Sequence, residues 1–112
     1  MAAQLNLLVL RCRDLAACKT FYEHLGFSFQ REQHGTGPIH YAAQLEGLVF
    51  ELYPLSEGAE LELTRLGFRL SVEGDLREIL DRAGIAVLNV LPHAEYPVYV
   101  VQDPEGRKVV LS

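Results

Sequence analysis

The stretch LNLLVLRCRDLAACKTFYEHLG (residues 5–26) contains a strand followed by a helix, and this unit sets the pattern for the whole chain. Its first part, Leu5 to Cys12, is apolar on both faces, which is typical of a buried strand. Asp14 then stands where a helix N-cap belongs, because its short carboxylate can accept hydrogen bonds from a first helical turn. Apolar residues recur at helical spacing up to Gly26, which favours a left-handed helix end.

The residues after Gly26 predict three further strands, and the same order of elements then returns in the second half. The strands of the first half are expected at residues 27–33, 39–45 and 48–53, with a hairpin signal at Glu46-Gly47. In the second half, a strand at 66–72 precedes a helix that begins with a capping box, Asp75 and Glu78, and ends at Gly84. Three more strands are expected at residues 85–91, 98–102 and 108–111. The sequence thus predicts one domain over residues 1–112, with a first module at about residues 1–55 and a second at about 63–112.

This order of elements predicts an α+β fold. One helix for every four strands cannot cover both faces of a parallel sheet, which excludes a doubly wound fold. Two βαβββ modules instead suit curved, mixed half-barrel sheets around a concave cleft, with the helices outside. Because side chains alternate along a strand, Phe50 and Leu52 are expected beneath a helix, and the alternate side chains in the cleft. The expected cleft positions on these strands are Val49, Glu51 and Tyr53 in the first module and Gly67, Arg69 and Ser71 in the second.

The composition excludes several classes of protein. The 112 residues carry a net charge of −5 and are 49% hydrophobic, and no apolar run approaches the roughly 20 residues needed to span a bilayer. The basic residues are scattered and form no cationic stripe, so neither nucleic acid nor a membrane is an expected partner. No signal-peptide pattern is present, and a cytoplasmic location is expected. Cys12 and Cys18 lack a metal-type spacing and are expected to be small buried hydrophobic residues.

Three elements of the sequence resemble the vicinal oxygen chelate superfamily, which includes glyoxalases, bleomycin-resistance proteins and extradiol dioxygenases. These elements are RCRDL (residues 11–15) followed by FYEHLGF (21–27), the strand end FEL (50–52), and DPEGRKVVL (103–111). The resemblance covers almost the whole chain, and it implies paired βαβββ modules in a half-closed barrel, commonly assembled as a homodimer. It says less about activity, because one scaffold carries several chemistries.

Members of that superfamily that hold a metal place four ligands on the concave faces. The resemblance places Leu7, Glu51, Gly67 and Val110 at these positions, and only Glu51 can bind a metal. The four histidines, His24, His34, His40 and His93, show no sequence spacing that would build a substitute. His40 alternates with Ala42 and Gln44 and can face the cleft, so whether it rebuilds a site stays open. We expect no metal and no cofactor.

The expected ligand-binding residues line the cleft, and they are Glu51, Arg69, Tyr53, Leu7, Val110 and His40. An unpaired carboxylate at Glu51 would be costly to desolvate, so Arg69 is expected to pair with it or to share a polar ligand group. The alternative is that Arg69 reaches solvent at the cleft mouth and Glu51 is partly hydrated. No catalytic residue is assigned. The acidic residues Glu57, Glu60 and Glu62 are expected to form a solvated linker.

Three functions stay open at this point. The favoured one is a metal-free small-molecule-binding protein resembling bleomycin resistance proteins, with a small organic ligand held between modules and a homodimer as the assembly. The first alternative is a glyoxalase- or dioxygenase-like metalloenzyme with a rearranged site, against which Leu7, Gly67 and Val110 argue. A metal-free enzyme with Glu51 as general base ranks below simple binding. The second alternative is a structural or regulatory dimer without a ligand.

Overall fold

The chain folds as two successive βαβββ modules in a computed structural model that describes residues 1–93 and 95–112. The first module consists of β1 (Leu7–Cys12), α1 (Leu15–His24), β2 (Phe29–Glu32), β3 (His40–Leu45) and β4 (Leu48–Pro54). The second consists of β5 (Leu66–Phe68), α2 (Leu76–Arg82), β6 (Asn89–Leu91), β7 (Val98–Gln102) and β8 (Lys108–Leu111). Neither helix in the described ranges has the length and apolar character required to cross a membrane.

Each module forms its own four-stranded mixed sheet. The strand orders are β1-β4-β3-β2 and β5-β8-β7-β6, so the first and last strands of each module lie side by side. These two pairs, β1 with β4 and β5 with β8, are parallel, and the remaining pairs are antiparallel. The predicted α+β class with two curved, mixed sheets is confirmed.

The helix ends follow from local sequence chemistry. The Asp14 carboxylate accepts a hydrogen bond of 3.0 Å from the Ala17 amide, and Asp75 accepts one of 2.9 Å from the Arg77 amide, so both predicted N-caps are confirmed. After α1, Gly26 adopts a φ of 100°, a left-handed conformation that costs a residue with a Cβ more than it costs glycine. Local signals therefore set where both helices begin.

Two strands of the second module are shorter than predicted. β5 ends at Phe68 instead of reaching residue 72, although beyond it the Leu70 amide still donates a hydrogen bond of 2.8 Å to the Ser112 carbonyl. The strand predicted at residues 85–91 is regular only over Asn89–Leu91. Before it, Ile85 and Val87 pack against the core without a strand partner. In both places the apolar pattern reflects packing against the core, since Leu70, Ile85 and Val87 contact the core outside the regular strands.

One core joins the two modules. It contains the helix-side residues of both sheets, and an aromatic cluster crosses between them. The ring of Phe68 in the second module lies 4.9 Å from that of Phe27 and 5.7 Å from that of Phe50, both in the first. Tyr22 of α1 packs edge-on against Phe50 at 5.1 Å. We call the face of each sheet that points away from this core its open face.

A buried polar network at the β7–β8 turn links the modules a second time. Arg107 is fully buried, and its guanidinium donates to Asp103 at 3.2 Å, to Glu62 at 2.9 Å and to the Arg11 carbonyl. Asp103 also accepts a hydrogen bond of 2.8 Å from the hydroxyl of Tyr22. Glu62 lies in the segment between β4 and β5 and keeps 44% of its side chain exposed, as expected of a linker residue. Its contact with a buried guanidinium was not indicated by the polar composition of that segment.

Candidate functional site

The open face of the first sheet carries four of the six predicted ligand-binding residues. Strand alternation places Leu7 and Val9 of β1 on this face, and the parallel register sets Leu7 beside Val49 and Val9 beside Glu51. In the same register Arg11 lies beside Tyr53. His40 at the start of β3 belongs to this face through its stacking on Tyr53. The arrangement follows from the period-two pattern of the strands.

Arg11, Tyr53 and His40 form a continuous stack across the sheet. The guanidinium carbon of Arg11 lies 4.7 Å from the centre of the Tyr53 ring, within the range of a cation–π contact. The Tyr53 and His40 rings are nearly parallel, at an interplanar angle of 9° with centroids 4.0 Å apart. The stack fixes the orientation of all three side chains on the open face.

The imidazole of His40 is held on both nitrogens, and only 1% of the residue is exposed. Its Nδ1 lies 3.1 Å from the Pro38 carbonyl oxygen. Because a carbonyl can only accept, Nδ1 carries the hydrogen. In the neutral ring Nε2 is then an acceptor, and the Tyr53 hydroxyl at 3.2 Å donates to it. The Pro38 carbonyl thus selects the tautomer whose Nε2 lone pair faces the open side of the sheet.

Two carboxylates flank this nitrogen. The Oε1 atom of Glu32 lies 3.8 Å from His40 Nε2, and the Oε2 atom of Glu51 lies 3.7 Å from it. Glu51 is largely enclosed, with 15% of its side chain exposed, whereas Glu32 keeps 34%. The two acceptors and the imidazole give this part of the face a strong preference for hydrogen-bond donors or cations.

A groove with a volume of about 420 Å³ adjoins the polar residues. It is lined by Ser28 just before β2, by alternate residues of β2 and β3 and by one residue of β4, namely Ser28, Gln30, Glu32, Ala42, Gln44 and Val49. None of them is among the six predicted ligand-binding residues, although Val49 was an expected cleft position. The alternation of Ser28, Gln30 and Glu32 against Phe27 and Phe29 was the signal that could have identified them.

The other two predicted site residues lie in the second module. Val110 is on the open face of the second sheet, where it pairs with Gly67. Arg69 follows β5 and is exposed. The ion pair expected between Arg69 and Glu51 is not formed within the described parts of the chain, where the basic group near Glu51 is His40. The sequence could place Arg69 on the correct face but not in reach of a strand in the other module.

The four positions that hold metal in the superfamily do not fit a metal here. Glu51 offers a carboxylate, but Leu7, Gly67 and Val110 have no side-chain atom that can bind an ion. Gly67 and Val110 are direct neighbours on the second sheet, so that half of the set contributes no ligand at all. A single carboxylate at these four positions cannot hold a divalent ion.

The two cysteines lie on the core side, away from the open face. Cys12 is 1% exposed and Cys18 is completely buried, as the sequence predicts. A hydrogen bond with Cys12, together with burial, raises the pKa of the Cys18 thiol far above its ordinary value. Cys18 therefore stays protonated and is unsuited to nucleophilic chemistry.

The comparisons with known proteins agree on the architecture. The structure called SMU.1112c superposes with a TM-score of 0.75 at 20% identity, covering 99% of this chain and 98% of the other. TnmS3, an antibiotic binding protein from Streptomyces sp. CB03234, gives 0.74 at 20% identity, with 99% and 95% covered. Lactoylglutathione lyase from Agrobacterium tumefaciens gives 0.67 at 12% identity, with 99% and 93% covered. At these identities the likeness concerns the fold. No curated protein matches the sequence significantly.

The family assignment rests on the sequence itself. The sequence model of the Glyoxalase/Bleomycin resistance protein/Dioxygenase superfamily matches residues 4–111, which includes both modules and both open faces. The resemblance drawn from the motifs is confirmed. The chain therefore belongs to the Glyoxalase/Bleomycin resistance protein/Dioxygenase superfamily.

Proposed function

We propose that the protein binds a small organic molecule on the open face of its first sheet, without a metal at the four superfamily positions. The observation that carries this proposal is the convergence of Tyr53, His40, Glu51 and Glu32 beside a groove of about 420 Å³. A concave surface with a few fixed polar groups is the usual form of a small-molecule site. The antibiotic-binding activity named for TnmS3, on the same fold, supports a binding function.

The chemistry of the face selects the class of ligand. Glu51, Glu32 and the amide groups of Gln30 and Gln44 supply acceptors, and both carboxylates attract positive charge. Tyr53, partly exposed between Arg11 and the buried His40, offers an aromatic edge and a hydroxyl. A cationic molecule that carries hydrogen-bond donors and an aromatic group matches this face better than an anionic one.

The binding cleft is completed, in this proposal, by a second copy of the chain. The open face of the second sheet carries the apolar residues Leu91, Val98, Val100 and Val110 together with the polar residues Asn89, Gln102 and Lys108. No hydrogen bond or ion pair joins the two open faces within the described ranges of one chain. A homodimer, the common assembly of the superfamily, would set the second-sheet face of one copy opposite the first-sheet face of the other.

Thermal unfolding in the presence of metal-free bleomycin and of S-lactoylglutathione tests the proposal, with and without EDTA. A ligand at about a hundred times its dissociation constant stabilises the folded state by roughly 2.7 kcal/mol, which gives a measurable rise in Tm. We expect bleomycin, the cationic compound, to raise Tm and EDTA to leave the effect unchanged. We expect no rise with anionic S-lactoylglutathione.

The matched variants are Glu51→Gln and Glu57→Gln, which remove the same charge inside and outside the proposed site. Loss of a charge-assisted hydrogen bond is worth about 1.5–3 kcal/mol, so Glu51→Gln should weaken bleomycin binding roughly tenfold or more. Glu57→Gln lies in the exposed segment after β4 and should bind as the parent does. Equal binding by both variants, or an effect abolished by EDTA, would contradict the proposal.

A further inference from the structure

A second cluster of ligand atoms lies at the outer edge of the first sheet, and it uses none of the four superfamily metal positions. Glu32, His34 and His40 each bring one ligand atom to this point, and these atoms all lie within 4.8 Å of one another. Glu32 and His40 are directly paired across β2 and β3, and His34 stands in the turn between those strands. Two imidazoles and one carboxylate are a donor set typical of zinc and other divalent transition metals.

From this geometry we propose that Glu32, His34 and His40 form a binding site for a divalent transition metal such as Zn²⁺. The proposal goes beyond small-molecule binding and does not depend on it. Three protein ligands leave at least one coordination position for water or another ligand, as in open zinc sites.

The distance between His40 and Glu32 is close to the spacing that zinc requires. Zinc bonds to nitrogen and oxygen are about 2.0–2.2 Å long, so two ligands on a tetrahedral ion lie roughly 3.3–3.5 Å apart. His40 Nε2 and Glu32 Oε1 are 3.8 Å apart, so a few tenths of an ångström separate them from that spacing. The ring centroids of His34 and His40 are 5.0 Å apart. His34 is exposed and can turn without disturbing the core.

The buried member of the cluster is already oriented as a ligand. Histidines that bind metal usually donate their second ring N–H to a carbonyl or carboxylate, which fixes the tautomer and the direction of the lone pair. In His40 the Nδ1 hydrogen is donated to the Pro38 carbonyl at 3.1 Å. Its Nε2 is left as the donor atom toward Glu32. The Tyr53 hydroxyl, which also bonds this nitrogen, can rotate its hydrogen away when the lone pair binds an ion.

The spacing of these residues in the sequence does not indicate the cluster, because its members come from a strand, a turn and a second strand. The antiparallel register of β2 with β3 brings residues 32 and 40 together, although they are distant in sequence. The sequence left open whether His40 rebuilds a metal site, and the structure places Glu32 and His34 beside it.

Calorimetric titration of the full chain with ZnCl₂ tests the site. We expect one ion per chain in the parent protein, with affinity at least about tenfold weaker in Glu32→Gln and in His34→Ala, since even outer-shell changes cost 10–100-fold. Both side chains are partly or fully exposed, so the variants should fold, which circular dichroism would verify. His24→Ala and Glu57→Gln remove the same chemical groups elsewhere and should bind zinc as the parent does.

Cobalt(II) titration identifies the donor atoms independently. Binding through imidazole and carboxylate should produce visible d–d bands that disappear in His34→Ala, without a thiolate charge-transfer band in the near ultraviolet. A thiolate band would place the ion on Cys12 or Cys18 and overturn the assignment. So would zinc affinity unchanged in His34→Ala, or no zinc binding by the parent protein. Since the bleomycin measurement is made in EDTA, failure of the zinc site and failure of ligand binding are separate results.

Discussion

Arg107 is the single residue on which the junction between the modules depends most. Burial alone would lower its pKa, but the carboxylates of Asp103 and Glu62 outweigh burial and raise it, so the guanidinium stays charged. Its contacts reach Glu62 before β5 and the Arg11 carbonyl on β1. A buried charge is tolerated when such partners replace the lost hydration.

Replacing Arg107 with Met should lower the free energy of unfolding by about 3–5 kcal/mol, because Asp103 is left buried without its cation. Lys108→Met removes a neighbouring charge at an exposed position and should change stability by no more than about 0.5 kcal/mol. Urea unfolding followed by circular dichroism measures both. Similar values for the two variants would mean that the buried pair contributes little at the junction.

At the scale of single residues, the sequence predicted which face of a sheet a side chain lies on, but not which residues that side chain contacts. Leu7, Glu51, Tyr53 and His40 share one face because side-chain direction follows from strand alternation alone. The contact between His40 and Glu32 depends on the register of β2 with β3, which the intervening turn sets. The exposure of Arg69 depends on how the modules pack, and no pattern within one strand contains that information.

The β7–β8 turn of the second module holds the start of α1 in the first module. Glu105 leaves the second sheet and reaches the start of α1 in the first module, where its carboxylate accepts hydrogen bonds from the Asp14 amide at 2.8 Å and from Arg13 at 2.9 Å. The Cys18 thiol lies 3.6 Å from the same carboxylate. Burial alone would raise the pKa of Glu105, but the Asp14 and Arg13 hydrogen bonds together hold it below its usual value.

This contact predicts a loss of stability in acid. A carboxylate whose pKa is lower in the folded state stabilises that state fully above its unfolded value of about 4.5, and the contribution is lost as pH falls through the folded pKa. Glu62, whose hydrogen bonds from Thr64 and Arg107 outweigh burial and lower its pKa, adds to the same trend. Stability should therefore decrease steadily as the pH is taken below about 4.5.

The variant Glu105→Gln measures how much the contact between the β7–β8 turn and α1 contributes to the free energy of unfolding. It should reduce stability at neutral pH by about 1–3 kcal/mol and flatten the acid limb of the stability curve, since the amide does not titrate. Glu57→Gln, in the exposed segment, should keep the parent's pH dependence. Urea midpoints measured between pH 3 and 7 provide the comparison, and an acid limb as steep in Glu105→Gln as in the parent would contradict the interpretation.

At the scale of elements, local signals were reliable for helix starts and less so for strand lengths. Asp14 and Asp75 act as caps because a cap needs only the turn that follows it. β5 and β6 are shorter than their apolar patterns suggest, because apolar residues next to a strand, such as Leu70 and Val87, pack against the core without belonging to the strand. An apolar pattern therefore indicates burial more reliably than strand length.

In the whole molecule, β1 and β5 are edge strands of two separate sheets. β1 is six residues long, and nearby Leu5 and Leu7 are 67% and 50% exposed. A long apolar edge favours association with another chain. A homodimer in which β1 of one copy meets β5 of the other would cover these residues and join the two sheets.

Sedimentation of the purified protein should therefore show a dimer that dissociates on dilution. Leu7→Asp places a charge on the edge that this assembly would bury and should shift the protein to monomer. Leu63→Asp changes another exposed leucine, in the segment between β4 and β5, and should remain dimeric. A parent protein that sediments as a monomer at every concentration would exclude a cleft formed between two copies of the chain.

Gly67, which pairs with Val110, is a position at which the sequence can change to a larger residue. A Cβ added at Gly67 would meet no heavy atom closer than the Val110 carbonyl oxygen at 3.9 Å, an ordinary contact distance. The backbone there does not require glycine, because Gly67 is absent from the positive-φ residues. A larger side chain can be accepted at this position while the scaffold stays unchanged. The second sheet thus retains a position at which a single substitution can change the shape of its open face without altering the backbone.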